Sequence, residues 1–127
     1  MFDLSTNSTT GLSPLYTIRL AFAAGTPGTP DDVTIYSANA PFAFRVLDSQ
    51  VLISTLVALA TVQLRNATGG GGDAVSDAFV AASLGRVRDT AVGISNATQT
   101  ISAGGTLVLR RSDRGVAGEV ILLIRRM

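Results

Sequence analysis

The 127-residue sequence contains no cysteine and no histidine. Disulfides, thiol catalysis, imidazole acid–base chemistry and ordinary zinc sites each need one or the other, so all are excluded. Tryptophan and lysine are absent too, and Glu119 is the single glutamate. No spacing singles out a partner for it, so the carboxylate pair of a glycosidase is not visible. Catalytic, metal-binding and cofactor-binding residues are therefore expected to be none. Charge is scarce: 15% of residues are ionised, against about 25% in ordinary soluble domains. Much of the surface is thus expected to meet something other than water. The apolar stretch 49–64 is interrupted by Ser54, Thr55, Thr61 and Gln63 and falls short of the ~20 apolar residues of a spanning helix. Burial between subunits is the preferred explanation, and no membrane partner is expected.

The N-terminal MFDLSTNSTT has no basic start followed by an apolar core, so no signal peptide is read and synthesis in the cytoplasm is expected. A net charge of +1 is too small for electrostatic capture by nucleic acid. Residues 1–81 hold three Arg against six Asp, and residues 82–127 hold seven Arg against two Asp and Glu119. Opposite patches of neighbouring copies can therefore face one another.

What is present is β-branched and apolar. In residues 106–126, TLVLRRSDRGVAGEVILLIRR, two apolar runs flank a loop of Ser112, Asp113, Arg114 and Gly115, which reads as two antiparallel strands forming a terminal hairpin. Alternation puts Val120, Leu122 and Ile124 on one face and Ile121 and Leu123 on the other. Both faces are apolar and no helix is in sight to cover the second, so another copy of the chain is the expected cover. Residues 15–23, LYTIRLAFA, alternate as a strand with one buried face, and Gly25, Pro27, Gly28 and Pro30 break it. Asp31 and Asp32 leave that loop, and a short strand runs over 33–36. Pro41 opens the next strand or sits at an edge, and Phe42, Phe44 and Val46 form the aromatic centre of the core. Residues 50–65 divide into two strands joined near 55–58. The four glycines at 69–72 are followed by no Lys-Ser or Lys-Thr, so they read as a flexible surface loop rather than a phosphate cradle. Helix and strand compete over 74–84. Arg86 and Arg88 share a strand face, and a hairpin turns at 96–98. The triplets at Asn7, Asn66 and Asn96 match the glycosylation sequon, which carries little weight without a signal peptide.

Short strands broken by turn signals at intervals of roughly 8–12 residues are the pattern of an all-β, antiparallel sandwich or barrel. About eight strands are expected, with a jelly roll first among the arrangements. Residues 15–127 form this domain. Residues 1–14, rich in Ser, Thr and Asn, are too polar to build a core and form an extended N-terminal arm or a frayed end.

The phrases DVTIYSANAPFAFRVLD at 32–48, GRVRDT at 85–90, and SAGGTLVLRRSDR followed by GEVILLI across 102–124 resemble small virion proteins of tailed bacteriophages, of the capsid decoration or cement type with a compact β-sandwich. The likeness covers residues 31–127 and leaves the arm unmatched. It implies a homo-oligomer, expected as a trimer, bound to the major capsid protein on the outer surface of a phage head. Polar contacts are then expected from Arg110, Arg111, Arg114, Arg125 and Arg126, with Asp31, Asp32 or Asp73 of neighbours as partners, and pocket-filling contacts from Phe2, Leu4 and Leu12 of the arm. The alternative is a fibre or receptor-binding module recognising a host surface glycan, although the chain offers only Tyr16 and Tyr36 beside its five Phe.

Overall fold

The computed structural model describes residues 3–6, 15–69, 71–75, 79–80, 85–88 and 100–127, with strand pairing alone for 3–6, 79–80 and 85–88. The described residues form ten strands and no helix: β1 (Asp3–Thr6), β2 (Leu15–Phe22), β3 (Asp31–Tyr36), β4 (Phe44–Thr55), β5 (Thr61–Arg65), β6 (Phe79–Val80), β7 (Gly85–Arg88), β8 (Thr100–Ile101), β9 (Leu107–Arg111) and β10 (Ala117–Arg126). The fold is all-β and its pairings are antiparallel, as the sequence pattern predicts. One sheet runs β1-β2-β10-β4-β7, with β8 also on β4, and the other runs β3-β9-β5-β6. Ten strands lie among the described residues, β1 and β8 being short additions to the first sheet.

One apolar core lies between the sheets. Ile18, Leu20 and Phe22 of β2 register with Leu122, Val120 and Gly118 of β10, and Val46 and Val51 of β4 stand opposite Ile124 and Val120. The other sheet contributes Ile35, Val62, Leu64, Leu107 and Leu109 to the same buried cluster. Each such side chain withdrawn from water is worth about 1.5–3 kcal/mol. Phe44, fully buried, is its aromatic centre, with ring centroids 5.9 Å from Tyr36 and 6.2 Å from Phe42.

β4 reaches twelve residues by changing face midway. Its buried positions are Phe44 and Val46, then Ser49, Val51 and Ile53. The pairing with β10 shifts between Leu123 and Ile124, so Leu47 is extra on β4. A bulge of one residue reverses which side chains face the core. A similar shift in β3, between Thr34 and Tyr36, lets Ile35 and Tyr36 both be buried.

Three sequence readings are corrected. The terminal hairpin does not form: β9 and β10 belong to different sheets, each a central strand, and residues 112–116 arch over the end of the core. Ser, Asp and Gly serve an arch as readily as a hairpin turn, so composition does not separate the two. The outer face of β10 is not bare: Ile121 and Leu123 are half-buried, with Arg19 and Gln50 beside the first and Thr17 and Asp48 beside the second. Long polar side chains such as Arg19 and Gln50 can cover apolar neighbours with their stems. The N-terminal segment does not all stand apart, since Asp3–Thr6 pairs with Tyr16–Arg19 as the edge of the first sheet. Phe2 and Leu12 lie outside the described residues, as do most of 74–84 and the turn at 96–98.

The glycine segment also departs from expectation. The Arg65 guanidinium donates to the carbonyls of Gly71 (3.1 Å) and Gly72 (2.8 Å), and the Asp73 amide donates to Asn66 Oδ1 at 2.7 Å. The Gly69 amide donates to Asp32 Oδ2 at 2.7 Å. Asp32 and Arg65 flank β9 in register, so the loop is fastened on both sides of that strand. A side chain at Gly72, whose φ is +67°, would collide with Asn66 and Ala67.

Candidate functional site

Position 111 faces the core, two residues after Leu109 and four after Leu107, yet it holds an arginine. Its side chain is 7% exposed. The Nε and Nη2 groups donate to the two carboxylate oxygens of Asp31, each at 2.7 Å, and Nη1 donates to the carbonyls of Ala23 (2.8 Å) and Val116 (2.6 Å). The guanidinium carbon lies 5.6 Å from the centroid of the Phe22 ring. This planar fork binds a carboxylate through two parallel bonds and still has donors to spare. Arg111 thereby ties β9, the start of β3, the end of β2 and the 112–116 arch at one corner.

Arg114 extends that tie. Its Nε donates to the Thr26 carbonyl at 2.8 Å, its amide to the Thr29 carbonyl at 2.9 Å, and its carbonyl accepts from the Gly25 amide at 2.7 Å. Asp113 accepts from the amides of Gly28 (3.0 Å) and Gly115 (2.8 Å). Loops 23–30 and 112–116 are therefore sewn together, and Val57 of the 56–60 turn packs at Gly115, where an added Cβ would come within 2.9 Å of its Cγ2. Three loops thus make one end of the molecule.

The five predicted arginines do not form a single patch. Arg110 lies on the outer face of its sheet, 3.4 Å from Asp32. Of the arginines and aspartates expected to meet between copies, Arg110 pairs with Asp32 and Arg111 with Asp31 within one chain. Arg126 sits at the opposite end, its guanidinium 4.8 Å from the Phe42 centroid, and Arg125 is exposed next to it. Asp73 makes its backbone contacts with Asn66. Leu4 is opposite Ile18 in register.

The sequence reading missed two features. The turn after β4, Leu56-Val57-Ala58-Leu59-Ala60, carries two exposed leucines, Leu56 at 40% and Leu59 at 91%. An apolar turn without Gly, Asn or Pro was its only signal. At the other end, Asn66, Thr100, Ile101, Ser102, Gly105 and Thr106 line an open hollow of about 180 Å³. These residues scatter through the sequence, so no motif reveals it.

Asp31, Asp32, Asp113 and Glu119 are each engaged by arginine or backbone donors, and no group of three or more Asp, Glu, His or Cys that could hold a metal occurs among the described residues. Burial pushes the Tyr36 phenol above its ordinary value of 10.0. No protein-family model matches the chain, and no curated protein and no solved structure is significantly similar to it.

Proposed function

We propose that this chain is a jelly-roll domain acting as a structural protein of a bacteriophage virion, made in the host cytoplasm and bound as a homo-oligomer, a trimer, to the outside of the capsid, which it stabilises. The observation that carries the reading is the strand order. Set aside β1 and β8, and four strands in the order β2-β10-β4-β7 face four in the order β3-β9-β5-β6. That order supports the reading because it matches the interleaving of two Greek keys expected of an eight-stranded jelly roll, an architecture used by capsid and lectin domains. The sparse charge and the arginine–aspartate ties spent on holding loops suit a rigid part that binds surfaces. Repeated over a shell, contacts of modest strength add up through multivalency.

The test is to mix the protein with undecorated phage heads and measure occupancy and heat resistance. Saturable binding and a raised temperature of head disruption are expected; heads that neither bind the protein nor gain resistance refute the role. A second reading, recognition of a host glycan, draws on the hollow beside β8, whose Asn, Thr and Ser groups are neutral hydrogen-bonding partners for sugar hydroxyls. Specific signals on a glycan array favour it over the first.

A further inference from the structure

Leu59 breaks two local rules at once. Its φ is +65°, a region where a side chain crowds the backbone and which turns normally fill with Gly or Asn. Its side chain is also 91% exposed. The turn is closed by one hydrogen bond, from the Ala60 amide to the Val57 carbonyl at 3.1 Å. Glycine would relieve the strain and remove the exposed apolar surface together. Ala38, the other non-glycine residue with positive φ (53°) among the described residues, is accounted for differently: its amide donates to Thr106 Oγ1, and the following amides donate to the Gly105 carbonyl. Strain that local bonding does not explain points to a contact made outside the turn.

The surroundings of Leu59 indicate what that contact is. Residues 23–30 are all exposed and none is charged, and the same holds for the exposed positions of 54–60. The charged groups at this end, Asp113, Arg114 and the Arg111–Asp31 pair below them, have partners within the chain. Charge depletion around an apolar centre is the composition of a protein–protein interface core. A lipid surface is a poor fit, because basic and aromatic anchors are missing from these loops. A second copy of the same end fits well: loops 23–30 and 56–60 bring no like charges together, and Asp113 and Arg114 are already bonded to backbone groups of their own chain.

We propose that copies of this chain associate through the end formed by loops 23–30, 56–60 and 112–116, with Leu56 and Leu59 as the apolar contact. The inference rests on the homo-oligomeric part of the proposed function and supplies the surface. Sedimentation equilibrium of the full chain tests it, on wild type, Leu59→Gly, Leu56→Ser, and Leu47→Ser as a control. Leu47 is also 40% exposed but sits on the β4 bulge, toward the other end of that strand. Wild type is expected at a multiple of 13.1 kDa. Leu59→Gly and Leu56→Ser should raise the dissociation constant at least about tenfold, with Leu47→Ser unchanged. The urea midpoint of wild type should rise with protein concentration, whereas that of Leu59→Gly should not, although the glycine monomer is no less stable than the parent. An oligomer that Leu59→Gly and Leu56→Ser leave intact overturns this surface while sparing the oligomer. A monomeric wild type overturns both, and its flotation with phosphatidylcholine vesicles in that case would assign the turn to lipid.

Discussion

Arg111 occupies a core-facing position because its charge is returned in full: a carboxylate gripped at both oxygens and two backbone carbonyls that otherwise lack these donors. Breaking one side of such a pair is costly since the partners stay behind, with Asp31 able to regain some water at 34% exposure. Arg111→Ala should destabilise the fold by about 3 kcal/mol in urea titration. Arg111→Lys, which keeps the charge but loses the fork, should cost about half of that. A loss under about 1 kcal/mol for the alanine variant would show that the corner holds without it. Tyr36 gives a pH signature. Burial raises its phenol pKa in the folded state, so the unfolded chain releases that proton first as pH climbs. Stability from this group is complete below about pH 10 and falls above it, by at most about 1.4 kcal/mol per pH unit. Tyr36→Phe should remove that part of the alkaline decline in pH-dependent unfolding; an unaltered curve would place its cause elsewhere.

Elements were legible where their side chains alternate without interruption. LYTIRLAF declares β2, and Val120, Leu122 and Ile124 declare β10, because period two is imposed by one buried face. β4 was harder, since the extra Leu47 moves the buried set from Phe44 and Val46 to Ser49, Val51 and Ile53, which breaks the pattern that identifies a strand. The 112–116 arch was read as a hairpin turn because turn chemistry is local, whereas the choice between joining one sheet and crossing to another is made by packing. An arginine at an inward position, Arg111, was the one clue. The apolar turn around Leu59 escaped notice for a related reason: a run of Leu, Val and Ala signals burial, and only the fold reveals that it is exposed. Gly118 marks a close approach of β10 to β4. A Cβ there would run into the Leu52 carbonyl oxygen of β4, beside the second register shift of that pairing. Gly118→Ala should cost about 1–3 kcal/mol in denaturant unfolding, and a neutral result would mean that β4 gives way without penalty.

Over the whole molecule, the connections β2–β3, β3–β4, β4–β5, β8–β9 and β9–β10 each pass from one sheet to the other. Almost every pairing is therefore made by segments distant in sequence, the topology associated with slow folding. Stopped-flow refolding should show a dominant phase of milliseconds to seconds, and complete recovery within microseconds would contradict the pairing scheme. The two sheets nevertheless share one core and the loop end is sewn across them, so the domain should lose its structure in a single step, with coincident transitions by different probes.

The central strand of each sheet is made after the strands on either side of it: β9 lies between β3 and β5, and β10 lies between β2 and β4. On a ribosome, β2 to β5 emerge with nothing to sit against, their hydrophobic faces open until 107–126 leave the exit tunnel and zip both layers shut. Until then the earlier strands are prone to stick to one another, and a premature stop before position 117 leaves them so.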